Sequence, residues 1–398
     1  MTHKRSGALI NVFLLGGSAN HYNIIRNLSN STFELKVHVF AKHNHLSSSG
    51  LTFSIHETDT KEVDGLLSAL LNSIKNIEGP RIIIPATDGE LLFLEKNRAI
   101  LSDYFTLSIP NSRALVTVSN KFSLQDVFQN NNLNYPKSIW VDKDSDPVDI
   151  SLMSFPCIVK PVFSHEWKTP RASKIIGENK AIIIKRPGEL SVIQRRVSAI
   201  SSQLLIQEII PQKNLENYSF CAYSDYKGNI LHSFVTQKLI QYPDRFGTAV
   251  LCQTTNNTSI ANYGKRAVKA FGLNGISETE IVIDKRTNKP FIIEVNPRHW
   301  MQHRLSTRLG VNYTLLDIYQ RLEMQEKADD LLNKRSSQKQ IIWIDDVGYI
   351  IYALKHFFHL KKCFIKEVLF KKREYFLFSF KDMKPFINTI KSKLNMDS

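Results

Sequence analysis

Two kinds of hydrophobic patterning alternate along this chain, and the places where they change mark its organisation. Up to about Pro110, short apolar runs at residues 9–15, 35–40 and 81–85 read as buried strands. A turn at Gly16-Gly17-Ser18-Ala19-Asn20 leads into a helix from near His21, and residues 63–77 have helical spacing. Strand–helix alternation with apolar strands predicts a parallel sheet in a small Rossmann-like α/β domain, residues 1–115. From Val116 the pattern changes. An amphipathic helix over 119–128 is followed by an extended segment at 139–141, strands at 155–161 and 180–185, and a helix opened by Arg186-Pro187-Gly188. A strand at 204–211, a hairpin of 218–224 with 230–239 around Asp225-Tyr226-Lys227-Gly228, and a helix over 260–271 stopped by Gly272 complete this part. Residues 116–325 are thus expected to form an α+β unit, split near 206/207, and residues 326–398 a helical extension. Tyr349-Ile350-Ile351 with Leu354, and Phe364-Ile365 with Val368-Leu369-Phe370, carry its helical spacing.

The most informative segment is a predicted hairpin of strands 278–283 and 291–295, with Asp284-Lys285-Arg286-Thr287-Asn288-Lys289 as its reversal. Alternation puts Glu294 and Asn296 on one face. A reversal centred near Thr287 sets Glu280 directly across from Glu294. Opposed carboxylates repel on a sheet. They are tolerated where a hard cation lies between them, because Mg²⁺ takes carboxylate and amide oxygens together with substrate phosphates. An exposed hairpin with two solvated glutamates is the plain alternative, but Glu294 interrupts an otherwise apolar strand that leads into Asn296 and Arg298. Lys160, ending the apolar run Ile158-Val159, either meets an anionic partner such as a nucleotide phosphate or snorkels to solvent. Gly16-Gly17 is half of a phosphate-binding fingerprint and equally a plain tight turn.

Composition narrows the class. At 398 residues and 42% hydrophobic content the chain suits two or three soluble domains. No apolar run approaches the length of a membrane span. The N-terminal run is broken by Asn11 and ends in Gly-Gly-Ser, which favours a first strand over a signal peptide. Cys157, Cys221, Cys252 and Cys363 lack pairing or metal spacing, which fits a reducing, cytoplasmic setting. The net charge of +15 is concentrated at the end, since residues 331–398 hold 14 Lys/Arg against 6 Asp/Glu. Such a balance suits a solvated basic face, an anionic acceptor or an anionic membrane surface. Without zinc-finger spacing or an RNA-binding signature, nucleic acid is not an expected partner.

Four segments in order carry a resemblance: Phe155-Pro156-Cys157-Ile158-Val159-Lys160-Pro161, Gln207-Glu208-Ile209-Ile210-Pro211, Gln237-Lys238-Leu239-Ile240-Gln241-Tyr242-Pro243 with Phe246-Gly247, and Glu294-Val295-Asn296-Pro297-Arg298. From about Leu9 to Ile387 the chain resembles the ATP-grasp superfamily, and within it the ATP-dependent carboxylate–amine ligases. The resemblance implies ATP and two Mg²⁺ ions as cofactors, with Mn²⁺ able to substitute. It implies that Lys121 and Lys160 bind ATP, Lys160 on the α- and β-phosphates. Leu205 to Ile210 would be the hinge that reads adenine through the Glu208 carbonyl and the Ile210 N–H, with Gln207 standing where many relatives have Glu. Lys238 would reach the transferred γ-phosphate, Glu280, Glu294 and Asn296 would hold metal, and Arg298 would stabilise the acyl-phosphate and tetrahedral species. Small carboxylate and amine substrates would be joined as an amide, with ADP and phosphate released. A kinase-like phosphotransferase, or a non-catalytic nucleotide-binding protein at a membrane surface, are the rival readings. Two departures stand out. Residues 163–171 contain no glycine where many relatives have a glycine-rich phosphate loop, so that loop would use side chains such as Lys168, Arg171 or Lys174 or close only over bound substrate, and Asn214 and Glu216 are both candidates for the ribose.

Overall fold

A computed structural model describes residues 9–41, 49–51, 54–58, 63–119, 121–142, 153–162, 166–167, 169–177, 181–201, 203–210, 215–243, 247–334, 340–356 and 365–396. Its first unit is a parallel sheet in the order β3-β2-β1-β4-β5. The strands are β1 (Ile10–Leu14), β2 (Leu35–Phe40), β3 (Ser54–His56), β4 (Arg81–Ile84) and β5 (Thr106–Leu107), and β1 is buried at every position. Helices α1 (Ala19–Leu28), α2 (Val63–Ser73), α3 (Asp88–Lys96) and α4 (Arg98–Leu101) alternate with them. The expected β1 and β2 lie where the apolar runs place them. The two-residue β5 and the polar-ended β3 are too short to show a period.

Helices α5 (Ser112–Ser119) and α6 (Lys121–Asn130) lead to a four-stranded antiparallel sheet, β6-β9-β7-β8. It consists of β6 (Ser138–Asp142), β7 (Cys157–Pro161), β8 (Ile182–Ile184) and β9 (Gln203–Glu208), covered by α7 (Pro170–Ile176) and α8 (Leu190–Val197). This sheet has its own core, with Val159, Ile184 and Ile206 beneath Trp167, Ala172 and Val197.

The third sheet has seven strands in the order β14-β13-β10-β11-β12-β15-β16. Its strands are β10 (Leu215–Ser224), β11 (Ile230–Tyr242), β12 (Thr248–Thr255), β13 (Gly275–Asp284), β14 (Lys289–Asn296), β15 (Ile341–Ile344) and β16 (Lys372–Tyr375). Helix α9 (Thr258–Phe271) packs so closely on β10 that a Cβ at Gly264 would stand 2.2 Å from the Phe220 ring. It ends at Gly272 in the left-handed conformation, φ 63°, as expected of a glycine stop. Helices α10 (Arg304–Arg308), α11 (Tyr313–Arg321) and α12 (Gln325–Asn333) join the core that runs beneath the first sheet.

The C-terminal region is mainly helical, as expected, with α13 (Asp346–Lys355), α14 (Ile365–Phe370) and α15 (Lys384–Met396). It also contributes β15 and β16, so the extension completes the large sheet instead of only packing on it. Glu374 on β16 fixes this arrangement. Its side chain is buried and accepts from Arg304 Nε at 2.6 Å, with Arg26 at 3.3 Å and Arg308 at 3.2 Å. One carboxylate thus joins α1, α10 and the extension. Removing one member of a buried charge cluster leaves the others unpaired. Glu374→Gln should therefore lower unfolding free energy by about 3 kcal/mol, measured by urea denaturation. An unchanged midpoint would show that the three arginines are satisfied without it.

Candidate active site

The hairpin β13–β14 forms with the predicted register, Glu280 opposite Glu294 and Glu278 opposite Asn296. A register irregularity follows Glu280, where Ile281 pairs with Ile292 and Ile293 is the extra residue. Glu278 and Glu280 share a face of β13 by alternation, so three carboxylates and one amide gather at this end of the hairpin. Asn296 donates through Nδ2 to Glu278 Oε2 at 3.2 Å and accepts through Oδ1 from Arg298 at 3.2 Å. Burial, and then the Glu280 charge, push the Glu278 carboxyl up to about 8. Glu294 is raised as well, by its setting in the cleft and by Glu280 and Asp88. Its side chain is nevertheless exposed.

Cations arrive from other elements. Lys238, on β11, holds its Nζ 3.8 Å from Glu280 Oε2. Burial opposes its charge most strongly, but Glu280 together with Cys252, Glu278 and Glu294 outweighs burial and the ammonium is raised. Lys160 projects from β7 of the smaller sheet, where burial lowers it although Glu294 and Glu280 favour its charged form. Its Nζ donates to Gln207 Oε1 at 2.9 Å, and Gln207 Nε2 donates in turn to Ser138 Oγ at 2.9 Å. Gln207 is thus a buried strut that aims Lys160, and the snorkelling alternative does not hold. The strand carrying Gln207 ends at Glu208, whose N–H is bound to the Lys137 carbonyl, and Ile210 lies two residues further on.

Arg298 follows the hairpin and is held on three sides. Its Nε donates to Asp88 Oδ1 at 2.5 Å, and its terminal nitrogens to the His299 carbonyl at 3.1 Å and to Asn296 Oδ1. Burial works against the guanidinium, yet Asp88, with Glu294 and Glu278, more than compensates and it is raised. Asp88 opens α3 in the N-terminal domain, so this ion pair spans 210 residues of chain. Its loop is fixed by a polar network: Thr87 Oγ1 caps α3 and donates to Glu90 Oε1 at 2.8 Å. Glu90 Oε2 takes the Ala86 N–H at 2.7 Å and lies 3.1 Å from His21 Nε2, while His21 Nδ1 faces the Ser18 hydroxyl at 2.8 Å. This packing explains Gly16, since a Cβ there would stand 2.6 Å from His21.

Asp88 and Glu278 were missed in the sequence. Thr87-Asp88-Gly89-Glu90 has the spacing of a capping box, which would have marked the start of α3. Glu278 stands two residues before Glu280 and could have been placed by alternation alone. The Lys121 side chain, Lys168, Asn214 and Phe246 lie outside the described residues. Arg171 and Lys174 are exposed on α7, and Glu216 bonds to Lys285 at 3.0 Å and to the Tyr218 hydroxyl at 2.8 Å.

The donor set suits Mg²⁺, because Glu280, Glu294 and Asn296 offer hard oxygens on one face. Among the described residues no three acidic, histidine or cysteine side chains could hold an ion by themselves. A cation here would share its shell with phosphate oxygens, as Mg²⁺ ordinarily does. Without a cation, Glu278 keeps its proton in the folded state well above the ordinary 4.5. The unfolded chain releases that proton first, so this group's stabilisation is present at low pH and lost as pH rises toward 8. Apo-protein stability should fall across that window, and Glu278→Gln should flatten the fall in urea titrations; an identical pH slope would exclude Glu278 as its source.

Residues 118–300 match the ATP-grasp domain family. The chain is 21% identical over 271 residues to a D-aspartate ligase of Enterococcus faecium, a match that spans 66% of this chain and 64% of that protein, just under two thirds of its length. An L-amino acid ligase structure from Bacillus licheniformis superposes with a TM-score of 0.61 at 15% identity, covering 85% of this chain and 79% of that one. An N5-carboxyaminoimidazole synthetase from Staphylococcus aureus, complexed with ADP, gives 0.61 at 13% identity over 90% of this chain and 88% of that one. These likenesses share the fold that the three sheets build. With Lys160, Lys238, Glu280, Glu294, Asn296 and Arg298 converging between the second and third sheets, residues 118–300 form an ATP-grasp domain.

Proposed function

We propose that this chain is an ATP-dependent carboxylate–amine ligase. The observation that supports the reading best is the meeting of Lys160, Lys238 and Arg298, from three separate elements, with Glu280, Glu294 and Asn296 on one hairpin. In this reading residues 1–115 are a substrate-selecting domain, 116–325 the ATP-grasp unit and 326–398 the extension. ATP lies between the second and third sheets, with its base at Glu208–Ile210 and its phosphates toward Lys121 and Lys160. Lys238 meets the γ-phosphate. A carboxylate oxygen attacks the γ-phosphorus, the bond to ADP breaks, and an acyl phosphate forms. The amine nitrogen then attacks the acyl carbon, phosphate leaves with the bonding electrons, and the nitrogen loses a proton.

Mg²⁺ held by Glu280, Glu294 and Asn296, with Mn²⁺ as a substitute, would neutralise phosphate charge and hold the chain of oxygens in line. The protein's own contribution is placement and fixed charge. Arg298, oriented by Asp88 and the His299 carbonyl, directs its remaining N–H groups at the oxygen on which charge develops. The fold and the charge placement are equally compatible with an enzyme that stops at phosphoryl transfer. Amine-dependent release of phosphate, in a screen of amino acids singly and in pairs with D-aspartate first, separates the two. ADP formation that never requires an amine would sink the ligase reading. The setting we assign is the cytoplasm; no helix among the described residues is long and apolar enough to cross a membrane.

Glu294→Gln should abolish turnover in a folded protein. Its apo melting temperature should stay level or rise, because one of two opposed charges is gone. Near-normal phosphate release from the folded variant would rule out its metal role. Lys160→Ala should weaken ATP binding by about 1.5–3 kcal/mol. Arg298→Ala should instead lower kcat with ATP affinity nearly unchanged, since its partner charge appears only during the reaction. Asp88→Asn should follow Arg298→Ala in kind, losing about ten- to a hundredfold in kcat, with Asp88→Glu recovering part. Steady-state kinetics with calorimetric ATP binding distinguishes these, and an Asp88→Asn protein that loses only ATP affinity would contradict its link to Arg298.

A further inference from the structure

The end of the described chain presents a surface that the proposed reaction does not use. Thirteen large hydrophobic side chains are exposed among the described residues, and seven of them fall between Ile350 and Ile387. Phe380 at 87% and Phe370 at 84% lead the group. Single exposed apolar residues need no explanation, but seven within one stretch of chain ask for one. Phe380 is also held in place. It stacks edge-on to Phe378 at 4.9 Å, Phe378 contacts Tyr375 and Phe386, and Phe386 is packed on the core. Side chains this exposed project outward and do not line a groove.

The charges here are sorted by sign. Residues 368–391 contain two acids, and both turn inward. Glu374 is 4% exposed among its three arginines. Asp382 is 6% exposed and accepts from Ser49 Oγ at 2.5 Å and the Gly50 N–H at 3.1 Å. Lys372, Lys381, Lys384 and Lys391 are all exposed. Each apolar projection therefore has a lysine close in sequence and no exposed acid in that stretch: Phe370 before Lys371-Lys372, Phe380 before Lys381, Met383 before Lys384. That is the pattern of an interfacial anchor, with apolar side chains entering the acyl boundary and ammonium groups reaching the phosphates.

We propose that this face, built from Phe370, Phe380, Met383 and Ile387 with Lys372, Lys381 and Lys384, docks the protein on an anionic lipid bilayer. Docking stands apart from the ligase reading and survives its failure. The test is co-sedimentation of the full-length protein with phosphatidylcholine vesicles, with and without phosphatidylglycerol, over a range of salt. Binding is expected only with phosphatidylglycerol, and should weaken as salt rises. Replacing Lys372, Lys381 and Lys384 with Gln should weaken it about a hundredfold, at roughly fivefold per lysine. Phe370→Ser with Phe380→Ser should cost roughly tenfold or more with every lysine in place. Circular dichroism of each variant checks its fold. Absence of binding to phosphatidylglycerol vesicles at low salt overturns the proposal, as does binding that the double Phe variant leaves untouched. A wild-type dimer in light scattering that the double Phe variant splits, with no vesicle binding, would make the face a contact between copies and equally overturn it.

Discussion

Two like charges set against each other on paired strands govern this structure. Glu280 and Glu294 are brought together by hydrogen bonds that neither side chain favours, with Glu278 beside them. Surrounding groups offset the repulsion in two ways. Lys238 supplies a nearby positive charge, and Glu278 tends to keep its proton, which removes one negative charge in the absence of a cation. The hairpin survives because its other residues, such as Ile281 and Ile292, are fully buried on the opposite face. Apolar burial on one side of a strand thus tolerates acidic crowding on the other.

Two cations of the site, Lys160 and Arg298, are each held by a dedicated support. Lys160 is steered by Gln207, itself held by Ser138, all on a sheet with its own core. Arg298 is steered by Asp88, whose loop is fixed by Thr87, Glu90 and His21. The second support belongs to the N-terminal sheet unit, so that unit reaches Arg298 beside the acidic hairpin. The core beneath the first sheet is shared with α10–α12 and the extension, which joins these parts into one body. The smaller sheet has a core of its own, separate from that one.

The C-terminal extension shows how tertiary context changes the meaning of composition. Its lysine-rich sequence signals a basic surface, and the fold sharpens that signal by drawing Glu374 and Asp382 inside. The same two acids anchor the extension, Glu374 through three arginines and Asp382 through Ser49 and Gly50. Internal pairing and external charge are two results of one arrangement.

Local patterning alone determined the Rossmann-like strands, the helix ending at Gly272 and the acidic hairpin with its register, because each follows from the period of neighbouring residues and from turn chemistry. It also marked Glu280, Glu294, Asn296 and Arg298, which lie within one hairpin and the loop after it. The order of strands in the large sheet was beyond its reach: β15 and β16 join β12 through pairings set by distant burial. The Asp88–Arg298 contact, between residues 210 positions apart, was equally hidden. So was the inward turn of Glu374 and Asp382. Short-range periods report which face a residue occupies, whereas the partner across that face is chosen by how whole elements pack, and only the tertiary structure decided it.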